Sequence, residues 1–192
     1  MTMALRWYAS RALLLLSSSF TLACGADAAP KSAPCDAECL DESAVRALRE
    51  TIKVVYNLTL QGKPVGEQDR STRCPLGGSA RVRGFATSVP EQGATELALV
   101  YELEQCAYRQ RDDEPEESYD VVVSGTVTEE GILAVQPTAT TALIFESESI
   151  SLQGTVYDPP EHYSEPDCAL RFGQDGNRFG GDWCGREVAF EL

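Results

Sequence analysis

Glu96-Leu97-Ala98-Leu99-Val100-Tyr101-Glu102-Leu103-Glu104 decides how the chain is read. Leu97, Leu99, Tyr101 and Leu103 stand on one parity, and Glu96, Glu102 and Glu104 on the other. Successive side chains of a strand point to opposite faces, so this two-residue beat describes a strand with one apolar and one wet face. The beat recurs on both sides. Ile52, Val54, Tyr56, Leu58 and Leu60 alternate with Lys53, Asn57, Thr59 and Gln61, which predicts a strand over 51–61. Val82, Gly84 and Ala86 alternate with Arg81 and Arg83, and Tyr119, Val121, Val123 and Val127 with Asp120, Ser124 and Thr126. Shorter runs follow at Leu143 and Phe145, at Ile150, Leu152 and Val156, at Leu170 and Phe172, and at Val188, Phe190 and Leu192, giving eight expected strands.

Turn residues separate them: Gln61-Gly62-Lys63-Pro64, Glu129-Glu130-Gly131, Ser147-Glu148-Ser149 and Asp158-Pro159-Pro160. Such short connections imply an antiparallel meander, because parallel neighbours need crossovers of about a dozen residues. Each strand then has one apolar face to cover, so the all-β sheet is expected to close into a barrel or to fold as a sandwich. Val123-Ser124-Gly125-Thr126-Val127 and Leu152-Gln153-Gly154-Thr155-Val156 look alike, each with a glycine where a sheet can bend. Upstream, Asp36 as N-cap, Glu38 in the first turn, the stripe Leu40, Ala44 and Leu48, and Arg46 and Arg49 near the end predict a short helix.

The first residues have a separate meaning. Arg6 and Arg11 flank the start of the apolar run Leu13 to Leu16, which ends in Thr21-Leu22-Ala23-Cys24. The run is far shorter than the ~20 residues that span a bilayer and fits the h-region of a secretory signal. This segment resembles the precursor of a bacterial lipoprotein, with Leu22 and Ala23 fitting the lipobox and Thr21 replacing its usual aliphatic residue. The resemblance implies that Cys24 receives a diacylglycerol and becomes residue one. It also implies sorting to the outer membrane of a Gram-negative cell, since Gly25 stands where inner-membrane retention uses aspartate. Ala26-Asp27-Ala28 offers a second cleavage site, which would release a soluble chain beginning at Ala29. The expected organisation is a signal peptide at 1–23, a lipidated tether and short helix at 24–50, and an antiparallel β domain at 51–192. Residues 25–34 lack periodicity and large apolar groups, the composition of a flexible tether.

Seven cysteines are an odd number, whereas an exported chain pairs its thiols. Setting Cys24 aside for lipid leaves six. Cys168 and Cys184 lie symmetrically about Gly176 in the turn signal Gln174-Asp175-Gly176-Asn177, where a three-residue loop at 175–177 would place them opposite each other. Cys74 and Cys106 are symmetric about Pro90, which leaves Cys35 for Cys39.

The precursor carries a formal charge of -14, and loss of Arg6 and Arg11 with residues 1–23 makes it -16. Such a surface argues against nucleic acid and anionic lipid headgroups as partners. The membrane is instead reached through the acyl chains.

Motifs for catalysis are missing from the sequence. No G-x-S-x-G elbow exists, Gly77-Gly78-Ser79 lacks the lysine of a phosphate loop, and Cys35 and Cys39 lack the two-residue spacing of a redox pair. No enzyme, cofactor or metal is therefore expected. The single histidine, His162, sits among Asp158, Glu161, Glu165 and Asp167, but their spacing matches no defined cation motif and reads as a solvated loop. The run 112–117 reads as an exposed acidic loop. Tyr108, Tyr157, Tyr163 and Trp183 are candidates for an aromatic binding face. The function expected is a lipid-anchored, non-enzymatic structural or interaction module of the cell envelope, with an envelope protein or glycan as partner. A closed β-barrel carrying an apolar ligand is the alternative.

Overall fold

In the computed structural model, residues 34–192 are described; the leader, Cys24 and the tether up to residue 33 lie outside them. Helix α1, Ala37–Thr59, begins where Asp36 caps it, the carboxylate accepting from the Cys39 amide at 3.0 Å. Eight strands follow: β1 Gly66–Arg73, β2 Ser79–Val89, β3 Ala94–Gln110, β4 Tyr119–Ala134, β5 Ala142–Val156, β6 Glu161–Asp175, β7 Arg178–Trp183 and β8 Arg186–Glu191. They form one sheet in sequence order, and every neighbouring pair is antiparallel.

The all-β meander is as expected, but its closure is not. β1 and β8 each pair on one side only, so the sheet stays open. The apolar face is covered by α1, which packs against β1 through β6 and β8. Ala44, Leu48, Ile52 and Val55 join Val82, Leu99, Val121, Leu152 and Trp183 in a single core. Fully burying a side chain of the size of Leu48 or Ile52 contributes roughly 1.5–3 kcal/mol.

The strand expected over 51–61 is instead the second half of α1. Asp41, Ala44, Val45, Leu48, Ile52, Val55 and Thr59 are buried at spacings of three and four, the stripe of an amphipathic helix. Ile52 fits both periods, whereas Leu58 discriminates: a strand would bury it with Ile52, and it is 52 % exposed. Of the three buried hydroxyls of α1, Thr51 donates to the Ala47 carbonyl at 2.8 Å and Thr59 to that of Val55 at 2.7 Å, while Ser43 Oγ has no hydrogen-bond partner among the described residues.

Two expected turns are also absorbed into strands. Glu129-Glu130-Gly131 lies inside β4 and Ser147-Glu148-Ser149 inside β5. Gly131 bends its strand without ending it: its φ is +127°, and a Cβ there would stand 2.2 Å from the Ala142 carbonyl oxygen. Gly154 does the same in β5, with φ +150° and a Cβ that would lie 2.1 Å from the Asp120 carbonyl oxygen. Such bends let long strands wrap around a helix. In β3 the register shifts between Leu103 and Cys106, with Gln105 at φ +51° and its amide donating to Ser124 Oγ at 3.0 Å. That bulge turns Cys106 to the inside, where it is fully buried.

All three expected disulfides are present: Cys35–Cys39, Cys74–Cys106 and Cys168–Cys184, with Cα separations of 5.3, 5.3 and 4.9 Å. Their frames differ from the expectation. Asp175 pairs with Arg178, so the β6–β7 loop is Gly176-Asn177, and Cys168 and Cys184 are offset from direct opposition by one residue. Cys74 sits beyond the end of β1, in the turn to β2, and not within a strand.

Candidate functional site

Two buried acids mark the seam between α1 and the sheet. At the first turns of the helix, Asp41 Oδ1 accepts from the Tyr163 hydroxyl at 2.6 Å and from Arg186 Nη2 at 3.0 Å, while Oδ2 accepts from Arg186 Nε at 2.6 Å. Trp183 Nε1 donates to the Tyr163 hydroxyl at 2.7 Å, and Arg186 also reaches Glu165 at 2.6 Å. Burial, and the hydrogen bond to Asp41, hold the Tyr163 phenol well above its ordinary range. Every carboxylate oxygen of Asp41 thus has a donor, and its charge has a counterion. This cluster joins α1 to β6, β7 and β8.

The second acid is Glu129 on β4, 6 % exposed. The Tyr101 hydroxyl on β3, itself fully buried, donates to its carboxylate. Among the described residues no ion pair reaches Glu129. The nearby cations are held elsewhere: Arg49 bonds Glu50 at 2.6 Å and Gln174 at 3.4 Å, and Lys53 bonds Glu50 at 2.9 Å. Burial pushes the Glu129 carboxyl up to about 7, with the Tyr101 hydrogen bond and the Arg49 charge pulling the other way. Burial first, and then the negative charge of Glu129, raises the phenols of Tyr101 and Tyr56.

Glu129 lines a cavity of about 320 Å³ between α1 and β4 to β6. Its apolar wall includes Ile52, Leu143 and Phe145, and its polar wall Arg49, Tyr56 and Gln174. A second depression of about 330 Å³ shares Tyr56, Asn57 and Leu133 with it and continues toward the C-terminal end of α1. A buried carboxyl, the Tyr56 phenol and an apolar wall are the kinds of group that line ligand sites.

The predicted site residues fall elsewhere. His162 pairs with Thr155 across β5 and β6 and is exposed, while Glu165 is taken by Arg186 and Asp167 by Ser149 at 2.7 Å. Among the described residues no group of three or more His, Cys, Asp or Glu is arranged to hold a metal ion. The aromatic face does not exist as expected: Trp183 and Tyr163, 0 % and 8 % exposed, are turned by their strands into the core under α1, Tyr157, 9 % exposed, is buried in the turn after β5, and Tyr108 is half-buried. Sequence reasoning missed Glu129 by reading it as a turn. Its parity matches that of Val127, so continuing the β4 beat through Gly131 places it on the apolar face.

No protein-family model matches the chain, and no curated protein or solved structure matches it either.

Proposed function

We propose that this protein is an outer-membrane lipoprotein, anchored by lipid at Cys24, whose β domain serves as a non-enzymatic interaction module of the cell envelope. One observation carries the reading: six of the seven cysteines pair with one another, which leaves Cys24 over. Three disulfides favour an oxidising compartment, and a leftover cysteine directly behind an apolar leader favours acylation. More than one acyl chain makes such an anchor stable, each buried methylene contributing about 0.8 kcal/mol.

The packing of α1 bears on the choice between interaction module and carrier. A carrier of apolar ligand needs an empty apolar interior. Here Ala44, Leu48, Ile52 and Val55 fill the covered face of the sheet, which supports the interaction module. Mass spectrometry of the mature N-terminus together with membrane fractionation tests the anchor. The expected result is an acylated Cys24 in the outer-membrane fraction and a folded, soluble protein from Cys24→Ser. A first residue of Ala29, or firm membrane association of Cys24→Ser, overturns it.

A further inference from the structure

Among the described residues Glu129 is an acid without an ion-pair partner, buried at the wall of a cavity that has room for a small molecule. Keeping a carboxylate ionised in such a site is unfavourable unless a positive charge meets it there; without one it takes up a proton as the pH falls. Among the described residues no cation pairs with it: Arg49 and Lys53 stand at the same cavity and both bond Glu50, and Arg49 acts on Glu129 only through its charge at a distance. An anionic ligand would add a second negative charge beside Glu129, and a neutral apolar one would leave the carboxylate unmet. A ligand carrying a cation answers the site.

We propose that this cavity binds a small organic ammonium ion, a primary amine with an apolar body, whose charged head meets Glu129 and whose body lies against Ile52, Leu143 and Phe145. Three features of the site select this class. The Tyr101 hydroxyl fixes the carboxylate and leaves it as an acceptor. Tyr56 and Phe145 present aromatic surface, which attracts cations. The formal charge of the whole chain, -14, raises the local concentration of cations and repels anions. A cavity of about 320 Å³ lies at the small end of the range for ligand sites, which restricts the body to a short alkyl or single-ring group.

Binding is coupled to protons, because only ionised Glu129 attracts the ammonium group. The titratable and charged groups that face it are Arg49, Glu50, Lys53 and Tyr56 from α1 and Tyr101 from β3; β5 and β6 contribute Phe145 and Gln174, which do not titrate. Glu129 itself is pushed up to about 7 by its burial. Affinity therefore falls on acidification, approaching about tenfold per pH unit below the Glu129 midpoint. This proposal does not depend on how the chain is anchored.

Calorimetry with hexylammonium tests it, using the full chain carrying Cys24→Ser so that no detergent is present, with hexanoate and hexanol as comparisons. The expected outcome at pH 8 is one-to-one binding of hexylammonium, weakened at least about tenfold by Glu129→Gln and lost as the pH drops to 5. Leu133→Trp, which fills the rim and leaves the acid in place, is expected to abolish binding with an unchanged far-ultraviolet dichroism spectrum and a cooperative unfolding transition, so the test survives a Glu129→Gln protein that fails to fold. No binding of hexylammonium at pH 8, equal binding by Glu129→Gln, equal binding by Leu133→Trp, or hexanoate or hexanol binding as well as the amine would each overturn the proposal.

Discussion

Asp41 and Glu129 are both buried against α1, and the molecule treats them in opposite ways. Asp41 accepts three hydrogen bonds, one from Tyr163 and two from the Arg186 guanidinium, which approaches to 2.6 Å as a salt bridge. Glu129 receives the Tyr101 hydroxyl and, among the described residues, no cation. The first is a closed network that joins the start of the helix to the last strands. The second carries a standing cost that depends on pH. A buried acid is therefore not by itself a sign of function; the informative observation is whether the protein supplies its counterion. By that criterion the N-terminal cluster is structural and the cavity at Glu129 is the place where something else is meant to bind.

Breaking the closed network is expected to have the largest effect. Asp41→Ala leaves Tyr163 and Arg186 without their shared acceptor inside the seam, and is expected to lower unfolding free energy by about 3–5 kcal/mol in urea denaturation. A loss below about 1 kcal/mol would mean that Arg186, half exposed, finds an equivalent partner in Glu165 and that the contrast between the two acids is overstated.

Glu129→Gln is expected to do the reverse. The folded carboxyl titrates near 7 against an ordinary value of 4.5, so the folded state holds its proton more tightly than the unfolded state. Stability from the protonated form is fully present below about 4.5 and is lost as the pH rises through 7. At roughly 1.4 kcal/mol per pKa unit, the wild type gives up about 3 kcal/mol between these limits. Glu129→Gln, which never ionises, is expected to gain about that much relative to wild type on going from pH 4.5 to pH 8. Parallel urea titrations at the two pH values check this, and a constant difference between the proteins would contradict it.

Much of the fold was legible because burial imposes a period. The beat at Leu97, Leu99, Tyr101 and Leu103 holds over four positions, and all four are buried. Asp36 announced the helix start, and the placing of the cysteines about two turns led to the right pairs, although the frames differ from those expected. What escaped has a physical cause in each case. Ile52 and Val55 satisfy a helical stripe, while Val54, Tyr56 and Leu58 mimic a strand along its flank; five positions are too few to separate the periods when a helix is half-wrapped by a sheet. Glu129-Glu130-Gly131 carries turn chemistry, yet Gly131 uses its freedom to bend a strand against the Ala142 carbonyl. The bulge at Gln105 changes the parity of β3, and nothing local to that segment marks it. The site was illegible for the same reason: Glu129 comes to Tyr101 only once β4 is continued past the glycine and the helix is laid over both.

The central claim, that Glu129 is buried without a counterion and waits for one, is tested most directly by following its side-chain carboxyl carbon by nuclear magnetic resonance across pH. The account predicts a midpoint near 7 in the free protein, moving downward when hexylammonium is added. A midpoint near the ordinary 4.5 in the free protein would contradict it.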